Sequence, residues 1–297
     1  MPGTDTTIAG AGVTLAVRDY GGLGLPAILI HGGPGQNLAT WDEFAPHLAP
    51  EIRPIALDMR GNGMSTDSDD YSWPALVSDI HAIVRHFALS RPLIIGHSWG
   101  GQLATYYASQ YNDAGGVIAI EGWITDVYTE LGDDIWEWMR ESYASEPFLN
   151  FVGTEEQLEP ILTEIERMYG ASGAAVTQRQ MVKSSDGLYR WSRTVDQLVH
   201  IQRTIGEASA ILNNALYASI TCPVLLIGGE KSEAEVQEAL QEKLGPWFVS
   251  RSATSPIVEQ YPHVRETWLP CGHDIPHELP DQLAGLIKQF ANSIEQN

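Results

Sequence analysis

The run Leu93-Ile94-Ile95-Gly96-His97-Ser98-Trp99-Gly100-Gly101-Gln102 constrains the fold of this chain more than any other stretch. It reads as a short apolar strand, a turn written Gly-His-Ser-Trp-Gly, and a helix beginning near Gly101. Glycines two before and two after Ser98 let the backbone reverse sharply and lift the serine hydroxyl into the open. A serine held there sits beyond a strand end, at the N-terminus of the next helix. The partial positive charge of that helix end favours an anion forming beside it. Five residues recur by chance, so the meaning of the pattern depends on its surroundings.

Those surroundings alternate strand and helix. Residues 12–19 alternate apolar and polar, as a half-exposed strand does. Residues 26–30 are a short continuous apolar run, the mark of a strand buried on both faces, and 53–57 and 116–120 read as further strands. A helix is expected at about 38–49, with Trp41, Phe44 and Leu48 on one face. Another is expected at 73–89, where Leu76, Ile80, Ile83, Val84 and Phe87 recur at helical spacing. This order predicts an α/β fold, a mostly parallel doubly wound sheet with helices on both faces. Ligands of such sheets bind beyond the carboxyl ends of the strands, where the unusual loops of this chain also lie.

After Glu121 the alternation stops. Residues 122–217 are helical in pattern and rich in aromatics, with amphipathic segments at 134–140 and 157–169. They read as a helical lid inserted into a core made of residues 1–121 and 218–297. Its aromatics pack the lid on the body, or some of them, Trp123, Trp136 and Trp138, line an apolar pocket. The sheet resumes at 222–230, with a helix at about 233–243, a strand at 263–269, the turn Pro270-Cys271-Gly272-His273-Asp274 and a terminal helix at about 279–294.

Acidic side chains outnumber basic ones 38 to 17, a net charge of −21. Such a surface repels phosphate backbones and anionic headgroups, so neither nucleic acid nor a membrane surface is an expected partner. No apolar run approaches the ~20 residues that cross a bilayer. The first residues have neither the basic start nor the apolar core of a signal peptide, and a cytoplasmic location is expected. Cys222 and Cys271 lack metal-site spacing and read as reduced structural cysteines.

A serine nucleophile needs a base, an orienting acid and donors for the oxyanion. His273 is the best base, in a Gly-flanked loop beyond a strand and after both the serine and the candidate acids. His97 adjoins Ser98, but neighbours on a tight turn point apart, so it reads as support. Taken with His31-Gly32-Gly33-Pro34-Gly35, Asp58-x-Arg60-Gly61-x-Gly63-x-Ser65 and Gly272-His273-Asp274, the chain resembles the α/β-hydrolase superfamily. The resemblance spans residues 10–295, with 122–217 at the variable cap position. It implies Ser98 as nucleophile, His273 as general base, and the N–H groups of Gly33 and Trp99 as oxyanion hole.

The acid departs from the common pattern. Many members carry it in a Gly-Glu-x-Asp arrangement, but here Gly229-Glu230-Lys231-Ser232 has serine in that place. Other members use an acid ending the strand after the nucleophile's helix, where this chain has Glu121. A carboxylate closing a buried apolar strand needs a partner, which an imidazolium supplies. Glu230, Glu233 and a His–Ser pair without an essential acid remain open. Asp58, Arg60 and Asp274 read as loop ion pairs bracing the site.

The leading expectation is hydrolysis of an ester, lactone or related acyl bond of a small to medium hydrophobic substrate, with no metal or organic cofactor. Proline iminopeptidases, which share the His-Gly-Gly-Pro-Gly pattern and hold a free amine with acidic groups, are one alternative. Glu155, Glu156, Glu159 and Glu164 are candidates for that role. Carbon–carbon bond hydrolases, cofactor-free dioxygenases and non-enzymatic ligand receptors use the same scaffold. Epoxide hydrolases and haloalkane dehalogenases are disfavoured, since their nucleophile is an aspartate where this chain has Ser98.

Overall fold

The computed structural model describes residues 3–33, 35–123, 134–145, 149–207, 212–231 and 251–295. Strands β1 (Thr4–Ala9), β2 (Thr14–Asp19), β3 (Leu25–Ile30) and β4 (Ile52–Leu57) open the chain. Helix α1 (Trp73–His86), β5 (Leu93–His97), α2 (Trp99–Gln110) and β6 (Gly116–Ile120) come next. An inserted segment holds α3 (Asp134–Ser145), β7 (Val152–Gly153), α4 (Glu155–Gln180), β8 (Met181–Lys183), β9 (Tyr189–Trp191) and α5 (Val195–Glu207). The chain ends with β10 (Val224–Gly229), α6 (Arg251–Gln260), β11 (Val264–Leu269), α7 (Ile275–Glu278) and α8 (Pro280–Glu295).

The main sheet runs β1-β2-β4-β3-β5-β6-β10-β11. It is antiparallel at β1/β2 and β2/β4 and parallel from β4 onward. The period of two sorts its apolar side chains. Ile28, Ile30 and Ile94 pack with α1 and α2 on one face. Ala27, Leu29, Leu93 and Ile95 pack with Trp41, Phe44, Leu48 and α8 on the other. Fully burying each such Ile or Leu is worth about 2–3 kcal/mol, which fixes the register and hence the position of the loop at each strand end.

That register builds the site. Gly96 pairs with Ala119 and His97 with Ile120, while Ile120 pairs with Ile227 across the next ladder. Ser98 and Glu121 therefore leave the sheet side by side. The chain runs from β3 to β4 on one side and then to β5 on the other, so the order reverses between β3 and β5. The loop after β3 and the turn after β5 flank this switch point, where doubly wound sheets bind ligands.

Four expectations differ from the structure. The helix expected at 38–49 is two short 3-10 turns, Leu38–Trp41 and Ala45–Leu48. Pro46 has no N–H to bond the preceding turn and its ring crowds that turn, which favours the break between the two. Helix α2 starts at Trp99, since Ser98 is already its N-cap. Helix α4 runs beyond 169, through a break at Gly170 with φ 76°, to Gln180. The inserted segment is not helical throughout, because β7, β9 and β8 form a small antiparallel sheet. Its β8–β9 connection contains Asp186-Gly187, with φ 83° at Gly187, a backbone conformation glycine adopts without penalty. The helix expected at about 233–243 lies outside the described residues.

Candidate active site

Ser98 has φ 55° and ψ −123°, a strained conformation for a residue with a side chain. It is held from both ends. Its N–H donates to the Ile120 carbonyl at 2.7 Å, and its carbonyl accepts from Gly101 N at 2.8 Å. A Cβ on Gly100 would collide with the Ile30 and His31 carbonyl oxygens, so only glycine lets α2 approach the end of β3 this closely. Glu121 is a second strained residue, with φ 51°. Its N–H donates to the Ile227 carbonyl at 2.8 Å. The two strained residues end adjacent strands, and strain clustered in this way is a mark of functional sites.

Glu121 is 2% exposed and its carboxylate is fully engaged. Oε1 accepts from the Gly229 N–H, and Oε2 lies 3.0 Å from His273 Nδ1. Facing a carboxylate, Nδ1 carries the proton, which leaves Nε2 as the ring nitrogen with an acceptor lone pair. The backbone carbonyl of His273 accepts from His97 Nε2 at 2.8 Å, which ties the histidine loop to the residue preceding Ser98. Burial, and after it repulsion from His273, pushes His97 down to about 4, so it is the neutral donor this bond requires. The structure thus brings His273 and Glu121 into contact and anchors both at the Ser98 turn.

His31 organises the opposite loop. It is fully buried, its Nδ1 donates to Gly32 O at 2.8 Å, and its Nε2 accepts from Met59 N at 3.1 Å. Burial pushes it down to about 4. Gly32 N donates to Gln36 Oε1 at 3.2 Å and Gln36 N donates to Gly33 O at 3.1 Å, closing a tight loop around Gly33. Trp99, the first residue of α2, packs against the His31 ring at 6.3 Å.

The remaining candidates separate. Glu230 is exposed, just past β10, and Glu233 lies outside the described residues. Trp123 is buried, edge-on to Trp268 at 5.7 Å, and its indole N–H has no hydrogen-bond partner among the described residues. Trp136 borders a cavity of about 360 Å³ between α3 and α5, lined with Arg140, Asp196, His200 and Arg203. That wall is charged, unlike the apolar pocket expected around Trp136. Trp138 is on the same helix, and its side chain lies outside the described residues.

The expected bracing pairs take definite partners. Arg60 makes a buried two-pronged contact with Asp79, at 2.7 and 2.8 Å. Asp274 accepts from His277 Nδ1 at 2.8 Å, and this contact raises the His277 pKa. Asp58 accepts from Leu38 N and Met64 N at 2.8 Å and from Arg179 Nε at 2.9 Å. Sequence reasoning missed the anchors of the inserted segment: Arg179, Gln180, and Arg193, whose Nε donates to Gly61 O at 2.6 Å. Their signal is long-range contact, invisible to local pattern. Among the described residues no group of three or more His, Cys, Asp or Glu side chains is arranged to hold a metal. No described helix is long and apolar enough to cross a membrane.

This geometry defines an enzyme of the α/β-hydrolase fold, with a serine turn and a buried acid paired with a half-buried histidine at the carboxyl ends of a parallel sheet. The profile of the alpha/beta hydrolase family matches residues 27–286, and the chain belongs to that family. It is 34% identical over 93 residues to a soluble epoxide hydrolase of Corynebacterium sp. (strain C12), covering 31% of this chain and 32% of that protein. The match thus spans about a third of that relative's length. A serine hydrolase-like protein of Danio rerio is 24% identical over 226 residues, 67% of this chain and 68% of its own. Among solved structures, E-2-(acetamidomethylene)succinate hydrolase superposes with a TM-score of 0.74 at 18% identity, over 98% of this chain and 99% of that one.

Proposed function

We propose that this chain is a serine hydrolase that cleaves an ester, lactone or related acyl bond of a small to medium hydrophobic substrate. The observation that carries the reading is the 3.0 Å contact of Glu121 Oε2 with His273 Nδ1, beside a serine in a strained strand-to-helix turn. Ser98 Oγ attacks the substrate carbonyl as His273 Nε2 takes its proton, and Glu121 stabilises the imidazolium that results. The tetrahedral oxyanion lies against the N–H groups of Trp99 and Gly33, with the α2 N-terminus adding favourable charge. The alcohol leaves with the proton from His273. Water, deprotonated by the same imidazole, then attacks the Ser98 ester and releases the acid. No metal or organic cofactor enters these steps.

Residues 122–217 act as the lid, and Trp123 supplies apolar wall next to the Glu121 turn. The charged lining around Trp136 gives that residue no acyl contact in this reading. Glu155, Glu156, Glu159 and Glu164 are exposed, and Glu164 is paired with Arg167 at 2.6 Å, so the iminopeptidase alternative gains no support from them. The epoxide hydrolase relative does not alter the chemistry proposed, because the side chain presented at the turn is serine.

The test is turnover of short p-nitrophenyl esters together with fluorophosphonate labelling, on the native protein and on Ser98→Ala. The expected result is turnover and a label on Ser98, both abolished in the variant. Native protein that neither labels nor turns over any ester overturns the acyl-enzyme reading.

A further inference from the structure

Gln180 closes α4, 2% exposed, with its side chain spent on the loop that carries Gly33. Its Nε2 lies 3.3 Å from both Gly35 O and Gln36 O. Its Oε1 accepts from Ser192 Oγ at 3.0 Å, while its backbone carbonyl accepts from Ser192 N at 2.7 Å. The amide can therefore neither turn over nor swing away without losing partners in a buried place. A second bond joins the same two segments, from Asn37 Nδ2 to Val176 O at 2.9 Å. On its other side the loop is held by Gly35 N donating to Asn62 Oδ1 at 3.1 Å.

The loop needs this support. Gly32, Gly33 and Gly35 bring no side chains able to fix their own backbone, and Gly35 has φ 94°. An oxyanion donor is effective only when its N–H is aimed within about 3 Å of the developing charge, so wandering costs rate rather than binding. Gln36 joins Gln180 to Gly33: its carbonyl accepts from the Gln180 amide and its N–H donates to Gly33 O.

We propose that Gln180 is a positioning residue whose side-chain amide fixes the Gly33 N–H for catalysis, so that this one side chain of the inserted segment completes the oxyanion hole. This rests on the Ser98 acyl-enzyme reading. The inserted segment then does more than cover the substrate, since part of the catalytic geometry is held from it.

The experiment compares native protein with Gln180→Met, Arg193→Gln and Ser98→Ala. It measures kcat and KM for a p-nitrophenyl ester, the rate of Ser98 phosphonylation by a fluorophosphonate, and the thermal midpoint. Arg193 bonds the same segment to Gly61 without touching residues 33–37, so its loss reports a weakened segment contact with the Gln180 bonds still in place. Gln180→Met is expected to lose about tenfold or more in both kcat and phosphonylation rate, with KM within about twofold. Arg193→Gln is expected to keep both rates at a comparable fall in midpoint. Unchanged rates in Gln180→Met, or equal losses in Arg193→Gln, overturn the proposal while leaving Ser98 in place. Turnover that survives Ser98→Ala overturns the acyl-enzyme reading and this inference with it. Should Gln180→Met fail to fold, Gln180→Ser removes the same two bonds while leaving room for water at the Gly35 and Gln36 carbonyls. A rate fall at constant KM then supports the proposal, and native rates overturn it.

Discussion

His273 Nδ1 and Glu121 Oε2 meet at 3.0 Å across 152 residues of chain. The ladders bring them together. Glu121 is set by the pairing of Ile120 with Ile227, and its other oxygen is fixed by the Gly229 N–H at the end of β10. Both oxygens are thus held in place by the fold itself.

Glu121→Gln tests this directly. The amide oxygen can still accept from Gly229, so the fold is expected to survive, but the carboxylate that holds Nδ1 protonated is gone. The kcat for ester hydrolysis is expected to fall by about 10³–10⁴-fold, the cost of losing the orienting acid in other triads. Glu230→Gln, an exposed change past β10, is expected to leave the rate near native. Steady-state kinetics on the two purified variants, with circular dichroism to check folding, decides between them. A larger loss in the Glu230 variant would transfer the role of orienting acid to that residue.

Acid should unfold the site through its two buried histidines. His31 and His97 each sit at about 4 when folded, against an ordinary value of 6.5. The unfolded chain therefore binds more protons between those values. Their contribution is present above pH 6.5 and lost as the pH falls towards 4, about 3 kcal/mol for each imidazole. His31 also has a geometric reason to resist protonation, since Nε2 must accept from Met59 N. Urea midpoints measured from pH 8 to pH 4 are expected to drop steeply below 6.5. His31→Gln, whatever its stability at neutral pH, is expected to show a shallower slope over that interval.

The physics of burial decides how much of this structure was legible in the sequence. Strands covered on both faces are mostly continuous apolar runs, so β3, β5, β6 and β10 were readable, as was β4 from its end at residues 55–57, and Glu121 stood out as a charge closing such a run. Strand β1 was not, because its sequence Thr4–Ala9 is exposed at every position but Ile8 and carries no apolar pattern. The two 3-10 turns show how one proline, Pro46, defeats a convincing helical stripe of Trp41, Phe44 and Leu48. Ser98 and His273 belong to local turns that can be read in a few residues. Gln180 and Arg179 could not be, since their roles depend on how the inserted segment meets loops more than a hundred residues away.

Arg179 governs the state of Asp58. Asp58 is fully buried, and burial raises its carboxyl above the ordinary aspartate value, opposed by the Arg179 guanidinium. Arg179→Met removes that cation and leaves the carboxylate with only its two backbone donors. Breaking a buried pair in this way costs about 3 kcal/mol or more while the abandoned charge persists. The folded pKa of Asp58 then rises further above its unfolded value. A group raised in this way is at full stability when protonated and loses it as the pH climbs through the folded pKa. The gap between native and Arg179→Met stability is therefore expected to be widest near pH 8 and to narrow towards pH 5. Urea denaturation of both proteins at the two pH values measures it, and a gap independent of pH would mean that Asp58 is not the group left unpaired.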